Sequence, residues 1–192
     1  MMIVSEKTMV FERELNLIND PSIRRFTEET LENVPDYFFK VAASSTGKYH
    51  PNYALGEGGL VRHTKAAVMI AECLLCDNPM YQDIFLSQER DVIISALILH
   101  DTIKHGLDYN KYSVSNHPML VEKVMKCDTY ENHEGEVIEE IKRCIRSHMG
   151  PWNYDFRNKH KEIMPKPETN LERFVHLCDY LASRKFLEVV FK

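Results

Sequence analysis

The chain has 192 residues, 44% of them hydrophobic and 28% charged, a composition suited to one globular domain with its own core. Its formal charge of −5 excludes a global basic field of the kind that holds duplex nucleic acid without sequence preference. Five irregularly spaced cysteines make no disulfide framework. There is no apolar run of about 18 residues to span a membrane, and the acidic N-terminal stretch is not a signal peptide. A cytoplasmic protein with reduced thiols is expected.

In chain order, Asp20-Pro21 marks a helix start. The stretch "SIRRFTEETLENVPDYFFKVA" (22–42) then carries apolar residues at helical intervals, which predicts N-terminal helices over 10–42. "SSTGKYHPNYALGEGG" (44–59) is a loop of glycine, proline and aromatics. It is not a dinucleotide fingerprint, because a motif opening at Gly56 places Val61 where the third glycine belongs. Its glycines allow a close approach to a ligand.

A helix is predicted over 60–75, with Cys73 and Cys76 as buried packing residues. Further helices are predicted over 89–105, 117–126, 135–149 and 169–190. The β-branched run at 92–94 continues too far without punctuation to be a strand. "GPWNYDFRNKHKEIMPKPE" (150–168) is a proline-bracketed loop, and its Arg157, Lys159, Lys161 and Lys166 are expected to attract a short anionic substrate. The pattern is that of a single all-α domain over 1–192, with no repeat or linker.

The chemistry gathers at "SALILHDTIKHG" (95–106), an apolar run that ends in His100-Asp101. A carboxylate at the end of a buried helix is costly unless it is paired or binds a metal. Lys104, three residues after Asp101, is in reach to pair with it. That pairing leaves the histidines unexplained. Of nine, His63, His100, His117, His148 and His176 fall at predicted helix ends, with Asp101 and Asp179 among them.

Read in order, His63, His100-Asp101, His117, His148 and Asp179 give the pattern H…HD…H…H…D. They are set in "GLVRHT", "LILHDTIKHG", "NHP", "RSHMGPW" and "HLCDYLASRK". This resembles the HD superfamily of metal-dependent phosphohydrolases over about residues 58–185, in the branch with HD phosphodiesterases and the HD domains of 3′–5′ exoribonucleases. The resemblance implies an all-α helical bundle, with the N-terminal helices packed on a ligand-bearing core.

It also implies a divalent transition metal, manganese, iron, cobalt, nickel or zinc, and in this branch two ions. His63, His100, Asp101 and Asp179 would hold one ion; Asp101, His117 and His148 would hold the other, with Asp101 bridging. The reaction implied is hydrolysis of phosphoester bonds by metal-activated water. Lys104 would offset charge developing on the phosphoryl oxygens.

Around that set, His176 and His105 are candidates to orient the ligands, with ordinary packing as the alternative. His133 and His160 are expected to face solvent. Lys48, His50, Trp152 and Arg184 are candidates to hold substrate, a nucleotide or short single-stranded nucleic acid rather than duplex DNA. Anchoring of the loops by the same aromatics and charges is an equal alternative. Two other functions fit the ligand pattern, a di-iron oxygenase and a nucleotide-binding sensor with little turnover. Neither oligomeric state nor the exact ester is legible.

Overall fold

A computed structural model describes residues 6–44, 46–47, 50–126, 130, 132–158 and 160–187, apart from the side chains of Gln82 and Asn132. The elements are α1 (Glu6–Val10), α2 (Glu12–Leu15), α3 (Pro21–Asn33), α4 (Gly59–Asp77) and α5 (Pro79–Gln82). After these come α6 (Ser87–Leu99), α7 (His117–Leu120), α8 (Asn132–Ser147) and α9 (Asn170–Ala182). Short 3-10 turns stand between them, and the described residues contain no strand, only one isolated antiparallel bridge between Tyr154 and Glu162. The all-α expectation holds.

Helix α3 begins where the Asp20 carboxylate accepts the backbone N–H groups of Ser22 and Ile23 at 2.9 and 3.2 Å, an N-cap followed by proline at the first turn. It stops at Asn33, short of the predicted 42. Pro35 excludes helical backbone at the residue before it, and Val34 is accordingly extended at φ −65, ψ 134. The aromatic residues after Pro35 form a separate 3-10 turn, Asp36–Phe39.

Helix α6 is the axis of the molecule. Every residue from Asp91 to Leu99 is buried, because α3, α4, α8 and α9 pack around it. A helix covered on all sides needs no polar stripe, which is why its sequence lacks one. Buried Asp91 accepts the backbone N–H groups of Asn19 and Asp20 at 3.1 and 2.7 Å, tying the start of α3 to this axis.

The helix ends at Leu99, not at 105. His100 is its C-cap and Asp101 to Tyr109 form a run of turns. Gly106 there has φ +88, and a Cβ on it would lie 2.7 Å from the Asn110 amide nitrogen and 3.1 Å from the Asp108 carbonyl oxygen. The predicted helix over 117–126 is likewise only α7 and a 3-10 turn, Val121–Lys123.

Gly59 opens α4, and a Cβ there would lie 2.2 Å from the Ala54 carbonyl oxygen. The close approach expected of the glycine loop is therefore made to its own backbone. Cys73 and Cys76 lie on α4 as predicted, but both are exposed. The buried face of that segment runs through Ala71 and Leu75, and the two thiols fall on the outer face. Helix α9 starts with Thr169 accepting the Glu172 N–H at 3.2 Å and ends at Ala182, before the predicted 190; residues 188–192 lie outside the described set. No described helix is long and apolar enough to cross a membrane.

Candidate metal centre

The end of α6 meets α4, α7, α8 and α9 at one point. His63 comes from the first turns of α4, His100-Asp101 from the end of α6, His117 from the start of α7, His148 from just beyond α8, and Asp179 from late α9. His63, His100, Asp101, His117 and His148 are at most 2% exposed. The structure thus brings all six predicted ligands together, in two groups that share Asp101.

The two oxygens of Asp101 divide the groups. Oδ2 lies 3.6 Å from His63 Nε2 and 3.6 Å from His100 Nε2. Asp179 Oδ1 closes that side, 2.9 Å from His63 Nε2 and 3.5 Å from His100 Nε2. Oδ1 of Asp101 faces the other way, 3.0 Å from His117 Nε2 and 3.8 Å from His148 Nε2. Within each group the candidate donor atoms all lie within 4.8 Å of one another.

The backbone sets the protons. Nδ1–H of His100 donates to the Leu97 carbonyl at 2.7 Å, that of His117 to Val114 at 2.9 Å, and that of His148 to Ile145 at 2.7 Å. A carbonyl can only accept, so each ring spends a proton on its Nδ1 side. In the neutral form Nε2 is left as a bare lone pair aimed at the centre. Backbone carbonyls commonly orient metal-binding histidines in this way.

Two consequences follow. His100 Nε2 and Asp101 Oδ1 are buried without a hydrogen-bond partner, an arrangement that is expensive unless a cation satisfies it. His117 Nε2 and His148 Nε2 face one another at 3.4 Å as two acceptors. His63 differs, since its Nε2–H donates to Asp179 at 2.9 Å and its Nδ1 is buried without a partner. Imidazole nitrogens with carboxylate oxygens suit a divalent transition metal, and the residues fit such an ion.

Charge in the centre is uneven. Burial would raise the Asp101 carboxyl, but the Lys104 ammonium and His100 hold it well below the usual carboxylate range. Burial acts the same way on Asp179, and the neighbouring His100 and His63 rings hold it well below. Burial pushes His148 down to about 3, with His100 adding to the effect. For His100, burial acts downward, and the carboxylates of Asp101 and Asp179 outweigh it and raise the ring. Lys104 Nζ lies 2.5 Å from Asp101 Oδ2, so the predicted pair exists.

A cavity of about 510 Å³ opens above the centre, lined by Asp101, Lys104, His117, His148 and Asp179 on its floor. Three of the candidates for holding substrate, His50, Trp152 and Arg184, also line it. His50 stands edge-on to His63 with ring centroids 5.0 Å apart, and burial, helped by Lys104, pushes it down to about 2. Lys48 lies outside the described residues.

Other expectations need correction. His176 does not orient Asp179; its Nδ1–H donates to the His148 carbonyl at 2.6 Å. His105 donates from Nδ1 to the Asn110 carbonyl at 2.6 Å and stacks on Tyr109, bracing the turn rather than the ligands. His133 and His160 are exposed, as expected. Arg157, Lys161 and Lys166 do not line the cavity, and Lys166 is paired with Glu162 at 2.5 Å; Lys159 lies outside the described residues. The sequence reading missed Tyr180, whose ring stacks with Trp152 at 5.7 Å and 10°. Its position beside Asp179 and four before Arg184 was the available signal.

Among known proteins, no curated protein and no solved structure matches the chain. The family model described as HD domain matches residues 60–184, a span that contains all six residues of the centre. HD domains are all-α, bind divalent metals and are mostly metal-dependent hydrolases. With that match covering more than half of its length, the chain belongs to the HD domain family.

Proposed function

We propose that this protein is a metal-dependent phosphohydrolase or phosphodiesterase that cleaves a nucleotide or a short single strand. The observation that carries the reading is the split of Asp101, one oxygen toward His63 and His100 and the other toward His117 and His148. A carboxylate so placed would be able to serve an ion on either side. On this reading His63, His100, Asp101 and Asp179 hold one ion, and Asp101, His117 and His148 hold the second. Such ions supply an acidified water and positive charge at the phosphoryl oxygens.

The chain's own residues do the rest. The carbonyls of Leu97, Val114 and Ile145 keep three imidazoles aimed at the centre, so little reorganisation is needed during reaction. Lys104, with its side chain only 13% exposed, sits on the cavity floor as a fixed cation for the phosphoryl oxygens. Trp152 offers a flat surface to a base, worth about 1–3 kcal/mol. A cavity of about 510 Å³ is of the size that encloses one small ligand, which favours a nucleotide or strand end over long duplex.

The test is metal analysis of the purified protein together with hydrolysis of bis(p-nitrophenyl) phosphate and a nucleotide panel in manganese. Hydrolysis that chelator abolishes is expected. Oxygen uptake with ferrous iron and no ester cleavage would replace this reading with an oxygenase, and nucleotide binding without turnover would replace it with a sensor.

A further inference from the structure

One wall of the cavity is built by the end of α9, and its groups have no part in holding an ion. Tyr180 lies nearly parallel to Trp152, with ring planes 10° apart and centroids at 5.7 Å. The guanidinium carbon of Arg184 lies 4.3 Å from the centre of the Tyr180 ring. Nε and Nη2 of Arg184 donate to the Ser183 hydroxyl at 3.2 and 2.8 Å. Indole, phenol and guanidinium thus form one supported wall.

Among the described residues, no carboxylate compensates the charge on that wall. Arg184 makes no ion pair with any carboxylate among the described residues, and its Nη1 makes no hydrogen bond to them. The carboxylates that line the cavity are Asp101 and Asp179, and both are engaged with histidines, Asp101 with Lys104 as well. Lys104 is spent on the floor, so Arg184 is the cation left for a second anionic group. A planar fork of donors stacked on an aromatic ring suits phosphate, because its orientation is fixed before the ligand arrives.

We propose that Arg184 binds a second phosphate of the substrate. The preferred ligand is then a nucleoside with two separate phosphate groups, one at the His/Asp cluster and one at Arg184, with its base against Trp152. The 5′-phosphorylated end of a short strand and a nucleoside 3′,5′-bisphosphate have this form; a mononucleotide and a cyclic mononucleotide do not. The inference rests on the phosphoester reading above.

The sequence provides its own probe, because Trp152 is the single tryptophan. Adenosine 5′-monophosphate and adenosine 3′,5′-bisphosphate are each titrated into the metal-loaded protein, following tryptophan emission. Both are expected to quench, with the bisphosphate bound about ten- to hundredfold more tightly, the value of one charge-assisted contact. In Arg184→Gln the two Kd values should converge, and Arg184→Lys should retain part of the difference.

Equal Kd values in the wild-type protein overturn the inference without need of any variant. So does an Arg184→Gln protein that keeps the wild-type ratio and only loses Tm, since a cation near the end of α9 also complements the helix dipole. Absence of quenching by either nucleotide overturns the inference too, since the proposed ligand has its base against Trp152. Cleavage of bis(p-nitrophenyl) phosphate is read separately. If that activity is present while the two nucleotides bind equally, the second-phosphate site falls and the phosphoesterase stands; if it is absent, both fall.

Discussion

The Nε2 atoms of His117 and His148 face each other at 3.4 Å, while each ring donates its Nδ1 proton to a backbone carbonyl three residues earlier. Neutral, the pair can make no hydrogen bond between the rings, and a cation between them turns two opposed lone pairs into two bonds. Replacing either His117 or His148 by Ala is therefore expected to lower metal content from about two ions per chain to about one. Asp101→Ala removes the carboxylate common to both groups and should abolish retention altogether. Elemental analysis reads all three variants, and full occupancy in Asp101→Ala would sink the assignment.

The contact between Lys104 and Asp101, at 2.5 Å, leaves two roles to separate. As a partner alone, Lys104 would stabilise the buried carboxylate; as a catalytic cation it also meets the phosphoryl group. Lys104→Ala is expected to retain its metal, since an ammonium is no ligand, and to lower kcat by about 10²–10³-fold. A folded, metal-replete variant with normal kcat would limit Lys104 to balancing Asp101.

The cluster of six histidines and aspartates was legible from the sequence because its chemistry is carried by residue type and order, and neither depends on exact helix ends. The ends themselves were less legible. Pro35 breaks the segment that apolar spacing made continuous, and the turns after Leu99 carry enough apolar residues to resemble another helical turn. Cys73 and Cys76 show a different limit, for a small apolar side chain on a helix does not reveal which face it occupies. Tyr180 was harder to find because its stacking partner Trp152 reaches it only when α9 and the loop after α8 come together. Arg157, Lys161 and Lys166 follow His148 closely in sequence yet do not line the cavity, because proximity along the chain does not fix where the side chains of a loop lie.

Acidity should act on the metal-free chain in two windows. The folded carboxyls of Asp101 and Asp179 lie below the ordinary 3.8, so their contribution is present above that value and lost as pH falls through their lower folded values. His100 is raised above its ordinary 6.5, so its contribution is complete below 6.5 and lost as pH rises through the raised value. Tm in chelator is therefore expected to be highest between about pH 4 and 6.5 and to decline above it. Metal must displace the proton of His100, so affinity should fall on acidification by up to about tenfold per pH unit, beginning above 6.5. His148, held down to about 3, adds nothing to that slope near neutrality. A metal affinity unchanged between about pH 6 and 8 would contradict the protonated His100.

Gly150 connects the ligand His148 to the aromatic wall, and it tolerates no side chain. Its φ is +57, and a Cβ on it would lie 2.3 Å from His176 Cε1 and 2.6 Å from His176 Nε2. Alanine would carry the left-handed backbone penalty and push the His176 ring out of place. The displaced ring would give up its 2.6 Å hydrogen bond to the His148 carbonyl and disturb Trp152, whose ring centroid lies 6.1 Å from it. Gly150→Ala is expected to lose about 2–4 kcal/mol of stability from these terms together. Urea unfolding measures that loss, and the emission of Trp152 in the folded variant should change as its surroundings shift. Metal binding by His63, His100, Asp101 and Asp179 should remain, because the atoms such a Cβ meets first are those of the His176 ring. A Gly150→Ala protein with wild-type stability and unaltered Trp152 emission would show that His176 can move aside freely, and that the wall is not braced through this glycine.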